Sequence, residues 1–169
     1  MSGIGYRHTR AMLAALALVA GGASQAPAQT AANPFVGLWQ LDRVKSQFDP
    51  GPPPERRVTW FQVAGDSWTH VREQDDGFGS TQQMKYTAKF DGKDYPVQGS
   101  ALDTVSLKRV GERTIERIGK VRGGPVETMT LTVSADGNTL TIKAKGNMNE
   151  RQYNNIEVYK RSLDSPPVR

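Results

Sequence analysis

Thr128-Met129-Thr130-Leu131-Thr132-Val133-Ser134-Ala135-Asp136-Gly137-Asn138-Thr139-Leu140-Thr141-Ile142-Lys143-Ala144-Lys145 decides the fold. Met129, Leu131 and Val133 alternate with threonines, and Leu140, Ile142 and Ala144 alternate with Thr139, Thr141, Lys143 and Lys145. Successive side chains of a strand point to opposite faces, so each half has one apolar and one wet face. Between them Asp136-Gly137-Asn138 tolerates positive φ, as a tight hairpin requires. The stretch is an antiparallel hairpin with one side to bury.

The same rhythm runs outward in both directions. Met84, Tyr86, Ala88 and Phe90 share a face opposite Gln83, Lys85, Thr87 and Lys89, and Val105 and Leu107 repeat the pattern. Gly65-Asp66, Asp76-Gly77, Asp91-Gly92 and Gly123-Gly124 mark further turns. Eight segments read as strands: 35–43, 56–64, 67–74, 81–90, 103–110, 113–121, 126–134 and 152–161. Residues 138–146 make a ninth, and 95–98 a short tenth. No helical stripe follows residue 34, so the expected fold is all-β, a single up-and-down antiparallel barrel of 8–10 strands.

The N-terminus reads differently. Arg7, His8 and Arg10 precede an apolar run over 11–20, and Ala26-Pro27-Ala28 offers a small-x-small cleavage pattern. The run is shorter than the roughly 20 apolar residues a membrane span needs. Residues 1–28 are therefore expected to be a cleaved signal peptide, leaving no stable membrane anchor. Residues 29–34 and 162–169 read as flexible tails around a domain at 35–161. The short, Ala-rich signal fits a bacterial protein sent to the periplasm or the medium.

With no cysteine in the chain, stability has to come from packing and backbone pairing. The formal charge of +5 falls to about +3 once Arg7 and Arg10 leave, and the remaining basic residues are dispersed among acids. Nucleic-acid binding needs a concentrated basic stripe, so that class is set aside. Asp49-Pro50-Gly51-Pro52-Pro53-Pro54 makes a stiff, extended connection. It reads as a crossover at one barrel end, with residues 48–54 as an alternative docking point for a protein partner.

Phe35-Val36-Gly37-Leu38-Trp39-Gln40-Leu41 opens the domain and Ile156-Glu157-Val158-Tyr159-Lys160-Arg161 closes it. This pairing resembles the calycins, the lipocalins and fatty-acid-binding proteins, whose first strand carries Gly-x-Trp and whose last strand ends in Val-Tyr-charged. The chain also looks like a set of uncharacterised bacterial exported lipocalin-like proteins. It shares their Trp-x-Leu opening at 39–41, Phe-x-Pro-Gly-Pro-Pro-Pro at 48–54, Asp-Gly-Lys-x-Tyr-Pro-Val at 91–97 and Ser-Ala-Asp-Gly-x-Thr-Leu at 134–140. The resemblance implies a barrel whose Trp39 plugs one end beneath a cation of the last strand, Lys160 or Arg161. It also implies an interior for a small apolar or amphipathic molecule. Where fatty-acid-binding proteins hold the ligand carboxylate with Arg-x-Tyr, this chain has Glu157 and Tyr159. A carboxylate repels a carboxylate, so a neutral or cationic ligand is expected.

Candidate ligand-contacting residues are Trp60, Trp68, His70, Met84, Tyr86, Glu157 and Tyr159; Trp60, Phe61, Trp68, Met84 and Tyr86 form the densest aromatic and Met-rich region. A filled core is the alternative reading of that region. A lone histidine without cysteines makes no multi-ligand metal site, and no Gly-x-Ser-x-Gly nucleophile elbow occurs. No metal, cofactor or catalytic residue is assigned. The expected function is a periplasmic or secreted carrier of a small molecule. A small isomerase- or cyclase-type enzyme using His70, Glu157 or Tyr159, and an envelope interaction module, are the alternatives.

Overall fold

A computed structural model describes residues 33–164 except 76, 149 and the side chain of Met148. The expected signal peptide at 1–28 and the tail residues 29–32 and 165–169 lie outside the described residues. Ten strands follow in order: β1 Gly37–Leu41, β2 Arg57–Ala64, β3 Ser67–Asp75, β4 Thr81–Ala88, β5 Tyr95–Gln98, β6 Thr104–Gly111, β7 Thr114–Val121, β8 Gly124–Val133, β9 Thr139–Met148 and β10 Arg151–Arg161. All ten expected segments form strands, and no helix occurs among the described residues.

Each strand pairs antiparallel with its sequence neighbour, and β1 pairs with β10 through Trp39↔Arg161 and Leu41↔Tyr159 to close the barrel. Closure removes the unpaired edge through which an interaction module could add a partner strand. The β2–β3 turn shows why the sequence places glycine there: Gly65 has φ 61°, which a Cβ disfavours. Where β1 leaves β10, the following loop takes over its edge. Gln47 and Ile156 exchange backbone hydrogen bonds at 2.8 Å, and Asn154 N donates to Asp49 O at 2.8 Å. The Pro-rich connection is therefore anchored to the barrel rim, in keeping with the crossover reading.

One end of the barrel is filled. Phe35, Trp39, Phe61 and Trp68 are almost wholly buried, and Phe90 packs against them. Phe61 and Trp68 lie 4.8 Å apart between centroids, with Phe35 edge-on to Trp68 at 5.5 Å. Such aromatic pairs add about 0.5–1.5 kcal/mol each beyond burial. Arg161 stands over the Trp39 ring at 4.1 Å and donates to the carbonyls of Pro34, Val36 and Gly137. Gly37 leaves room for it, since a Cβ there would sit 3.0 Å from Arg161 Nη1. Arg161, not Lys160, is thus the capping cation. Lys160 has the opposite parity and pairs with Asp42 at 2.9 Å. Asn33 and Pro34, expected as tail, are tied down by the same arrangement, with Asn33 Oδ1 accepting from Phe35 N.

Candidate functional site

The other end holds a cavity of about 440 Å³. It is built where β2 and β10 begin, β3 and β9 approach their ends, and the 99–102 loop crosses. Met84, Leu102, Met129 and Ala144 give it apolar walls. Arg57, Arg72, Arg117, Glu127, Glu157 and Tyr153 give it charge and hydroxyl chemistry. The alternation that sends Phe61 and Trp68 inward also sends Arg57 and Arg72 inward, two strand steps from Thr59 and His70.

Two of the three arginines have a carboxylate of their own. Arg57 Nη1 lies 2.7 Å from Glu157 Oε1, its Nε donates to Gln74 Oε1 at 2.9 Å, and Tyr159 Oη donates to Glu157 Oε2. Arg117 donates to Glu127 Oε1, while Tyr153 Oη donates to Glu127 Oε2. Burial opposes the Arg57 charge, but Glu157 and Tyr159 more than offset it and hold its pKa above the usual range. Burial likewise pushes the Glu127 carboxyl up, and Arg117 with the Tyr153 hydroxyl overcomes it, leaving Glu127 below its ordinary value. Burial raises the Tyr159 and Tyr153 hydroxyls, and the neighbouring carboxylates raise them further.

Arg72 is different. It lines the cavity yet makes no hydrogen bond or ion pair with any described residue. Burial, then the charges of Arg57 and Arg117, depress its pKa despite Glu157 and Tyr159 nearby. Arg117 also keeps an unused donor, since its buried Nε has no partner. Three guanidinium groups therefore face two carboxylates, and the lumen carries one uncompensated positive charge. The repulsion from which a neutral or cationic ligand was expected is offset here, because Arg57, on the far side of β1 from β10, pairs with Glu157.

Beneath the cavity a hydrogen-bonded layer forms its floor. Thr59 Oγ1 donates to Val71 O at 3.0 Å, so His70 Nε2 donates to Thr59 Oγ1 at 2.5 Å. His70 Nδ1 is then the acceptor for Tyr86 Oη at 3.0 Å. Both ring nitrogens are used in the neutral form. Burial above all, then Arg117 and Arg72, drives the His70 pKa well below its usual value.

Of the seven residues read from sequence as ligand-contacting, Met84 and Glu157 line the cavity. Trp68, His70, Tyr86 and Tyr159 point inward but lie outside its walls, buried in the floor and the filled end. Trp60 does not face the lumen. It packs with Leu38, Val58 and Val71 on the opposite face, because both faces of β2 are apolar there and alternation cannot choose between them. Sequence reasoning missed Arg57, Arg72, Arg117, Glu127 and Tyr153. The parity of Arg72 with Trp68 and His70 was the available signal. Among the described residues no group of three or more His, Cys, Asp or Glu could hold a metal ion.

No protein-family model matches the chain, and no curated protein matches it either. Among solved structures, it is similar to the zebrafish ileal bile acid-binding protein complexed with cholic acid. That match has a TM-score of 0.52 and 12% identity over 76% of this chain and 99% of that one. A Schistosoma mansoni fatty acid binding protein in complex with arachidonic acid gives 0.49 and 15% identity over 76% of this chain and 96% of that one. The fold is a ten-stranded closed antiparallel barrel, similar to that of the bile acid-binding protein.

Proposed function

We propose that this protein is a carrier for a small amphipathic molecule with an anionic head, held in the barrel's open end. The observation that carries the reading is Arg72, a cation in the cavity wall whose neighbours Arg57 and Arg117 already have their own carboxylates. Leaving a charge unpaired in a partly desolvated wall costs free energy that an incoming anion can recover. The cavity lies within the range of about 300–1,000 Å³ usual for small-molecule sites, and Met84, Leu102 and Met129 supply apolar contact. The similar solved barrels bind an arachidonic acid and a cholic acid, both acids with large apolar parts.

The test is calorimetric titration of the protein with dodecanoate, dodecanol and dodecylamine. Dodecanoate should bind saturably, the other two at least tenfold more weakly. Arg72→Met should abolish the preference. Equal affinity for all three, or an unaltered preference in Arg72→Met, removes the reading. The sequence at 7–28 supports export to the periplasm or medium. Recovery of the protein in a periplasmic fraction with Gln29 as its N-terminus would agree, and an intact N-terminus in the cytosol would refute it.

One observation favours an enzymatic alternative: Glu157 lines the cavity and accepts a hydrogen bond from Tyr159. An acid–base pair for an isomerase or cyclase would use these two. His70 takes no part, being sealed in the floor by Thr59 and Tyr86.

A further inference from the structure

Strands β8 and β9 pair from Val133↔Leu140 up to Glu127↔Gly146, and there the pairing stops. Beyond that point β8 follows β7, through Lys120↔Pro125 and Val121↔Gly124, past a shift in register between Gly119 and Lys120. The end of β9 instead follows β10, through Asn147↔Gln152 and Met148↔Arg151. The two strand ends part, and between them lies a groove of about 520 Å³ with Pro125, Val126, Lys145 and Asn147 in its walls.

This groove and the lumen share two residues, Glu127 and Tyr153. Glu127 is fixed by Arg117. Tyr153 is half-buried, and its hydroxyl bond to Glu127 is what holds it across β9. Gly146 makes that position available: a Cβ there would lie 2.9 Å from Tyr153 Oη and 2.5 Å from Val126 O. The phenol ring lies across a bare stretch of strand and separates the two spaces.

The geometry points to Tyr153 as a side gate, through which the apolar tail of a ligand leaves the lumen between β8 and β9 while its anionic head stays at Arg72. The ligand class that fits is a single-headed anionic amphipath with a flexible, unbranched tail too long for the cavity. Deeper along the barrel axis there is no room for the tail, because His70, Tyr86, Phe61 and Trp68 fill the interior below the cavity. This inference rests on the anionic-head reading of the lumen, and its test separates the two.

The probe is dodecanoate bearing a diazirine at its terminal carbon, irradiated with the full-length protein and mapped by peptide mass spectrometry. Label on residues 124–128 and 145–153 is expected. Tyr153→Phe, which keeps the ring and removes the tie to a charged acceptor, should bind dodecanoate about tenfold tighter or more. Affinity from octanoate to tetradecanoate should keep rising, about fourfold per methylene. Label confined to 99–102 or to the floor, no tightening in Tyr153→Phe, or a plateau after octanoate overturns the side gate while leaving the head site standing. Labelling unaffected by Arg72→Met overturns the head site itself.

Discussion

The two ends of this barrel are made from the same ten strands and obey opposite rules. At the closed end, Phe35, Trp39, Phe61 and Trp68 fill the interior, Arg161 is spent on three backbone carbonyls and an indole face, and Arg109 lies against Phe35 and Phe90. At the open end, large side chains give way to Met84, Met129, Ala144 and the bare Gly146, and the interior carries five charged groups. A barrel of about this size can either pack solid or hold a small molecule. This one packs side chains solid at one end and keeps a charged cavity at the other.

The largest expected effect comes from emptying the closed end. Trp39→Ala should lower the unfolding free energy in urea by about 3–5 kcal/mol. Met84→Ala beside the cavity should cost about 2 kcal/mol or less, because its surroundings are already open. Equal losses would break the contrast between the ends.

Next is the ion pair at the open end. Arg117→Met strands Glu127 as a buried charge and should cost about 3–5 kcal/mol. Adding Glu127→Gln to that variant should recover more than half, since the penalty lies in the unpaired charge. If the double variant is no better, Arg117 acts through packing alone.

The floor between the ends sets the pH response. His70 stays neutral when folded, whereas an unfolded histidine takes up a proton near 6.5. The unfolded state then binds more protons, so stability should fall by about 1.4 kcal/mol between pH 7.5 and 5.5. His70→Gln should flatten that part of a urea-midpoint profile. Glu127 adds stability above its unfolded value near 4.5 and loses it as pH falls through its depressed folded value, so a second loss at lower pH should survive in His70→Gln.

The smallest change in stability should be Arg72→Met, within about 0.5 kcal/mol of the wild type or slightly stabilising, because it removes a charge with no partner. Its effect belongs to anion affinity instead. A large destabilisation would show that Arg72 holds structure, and would move recognition elsewhere.

The strands and turns were legible in the sequence because period-two alternation and Gly-Asp turn chemistry are local properties. Even the four residues of β5 were visible, between Asp91-Gly92 and Gly99. Trp39 as a plug beneath a basic residue of β10 was legible through resemblance, and the choice of Arg161 over Lys160 needed only the parity that the real register supplies. Trp60 was misplaced for a local reason as well: Val58 and Trp60 on one face of β2 are as apolar as Phe61 on the other.

What the sequence by itself determined is the list of elements, their antiparallel order and the closed end. Only the tertiary structure decided which charges go inside. Arg57 with Glu157 is a pairing of residues 100 apart in sequence that closure of the barrel creates, by bringing β2 and β10 to either side of β1. Charge balance inside a lumen is a sum over every strand that lines it, so Glu157 alone could not give the sign of the cavity. Arg72, left over when that sum is complete, points to an anion.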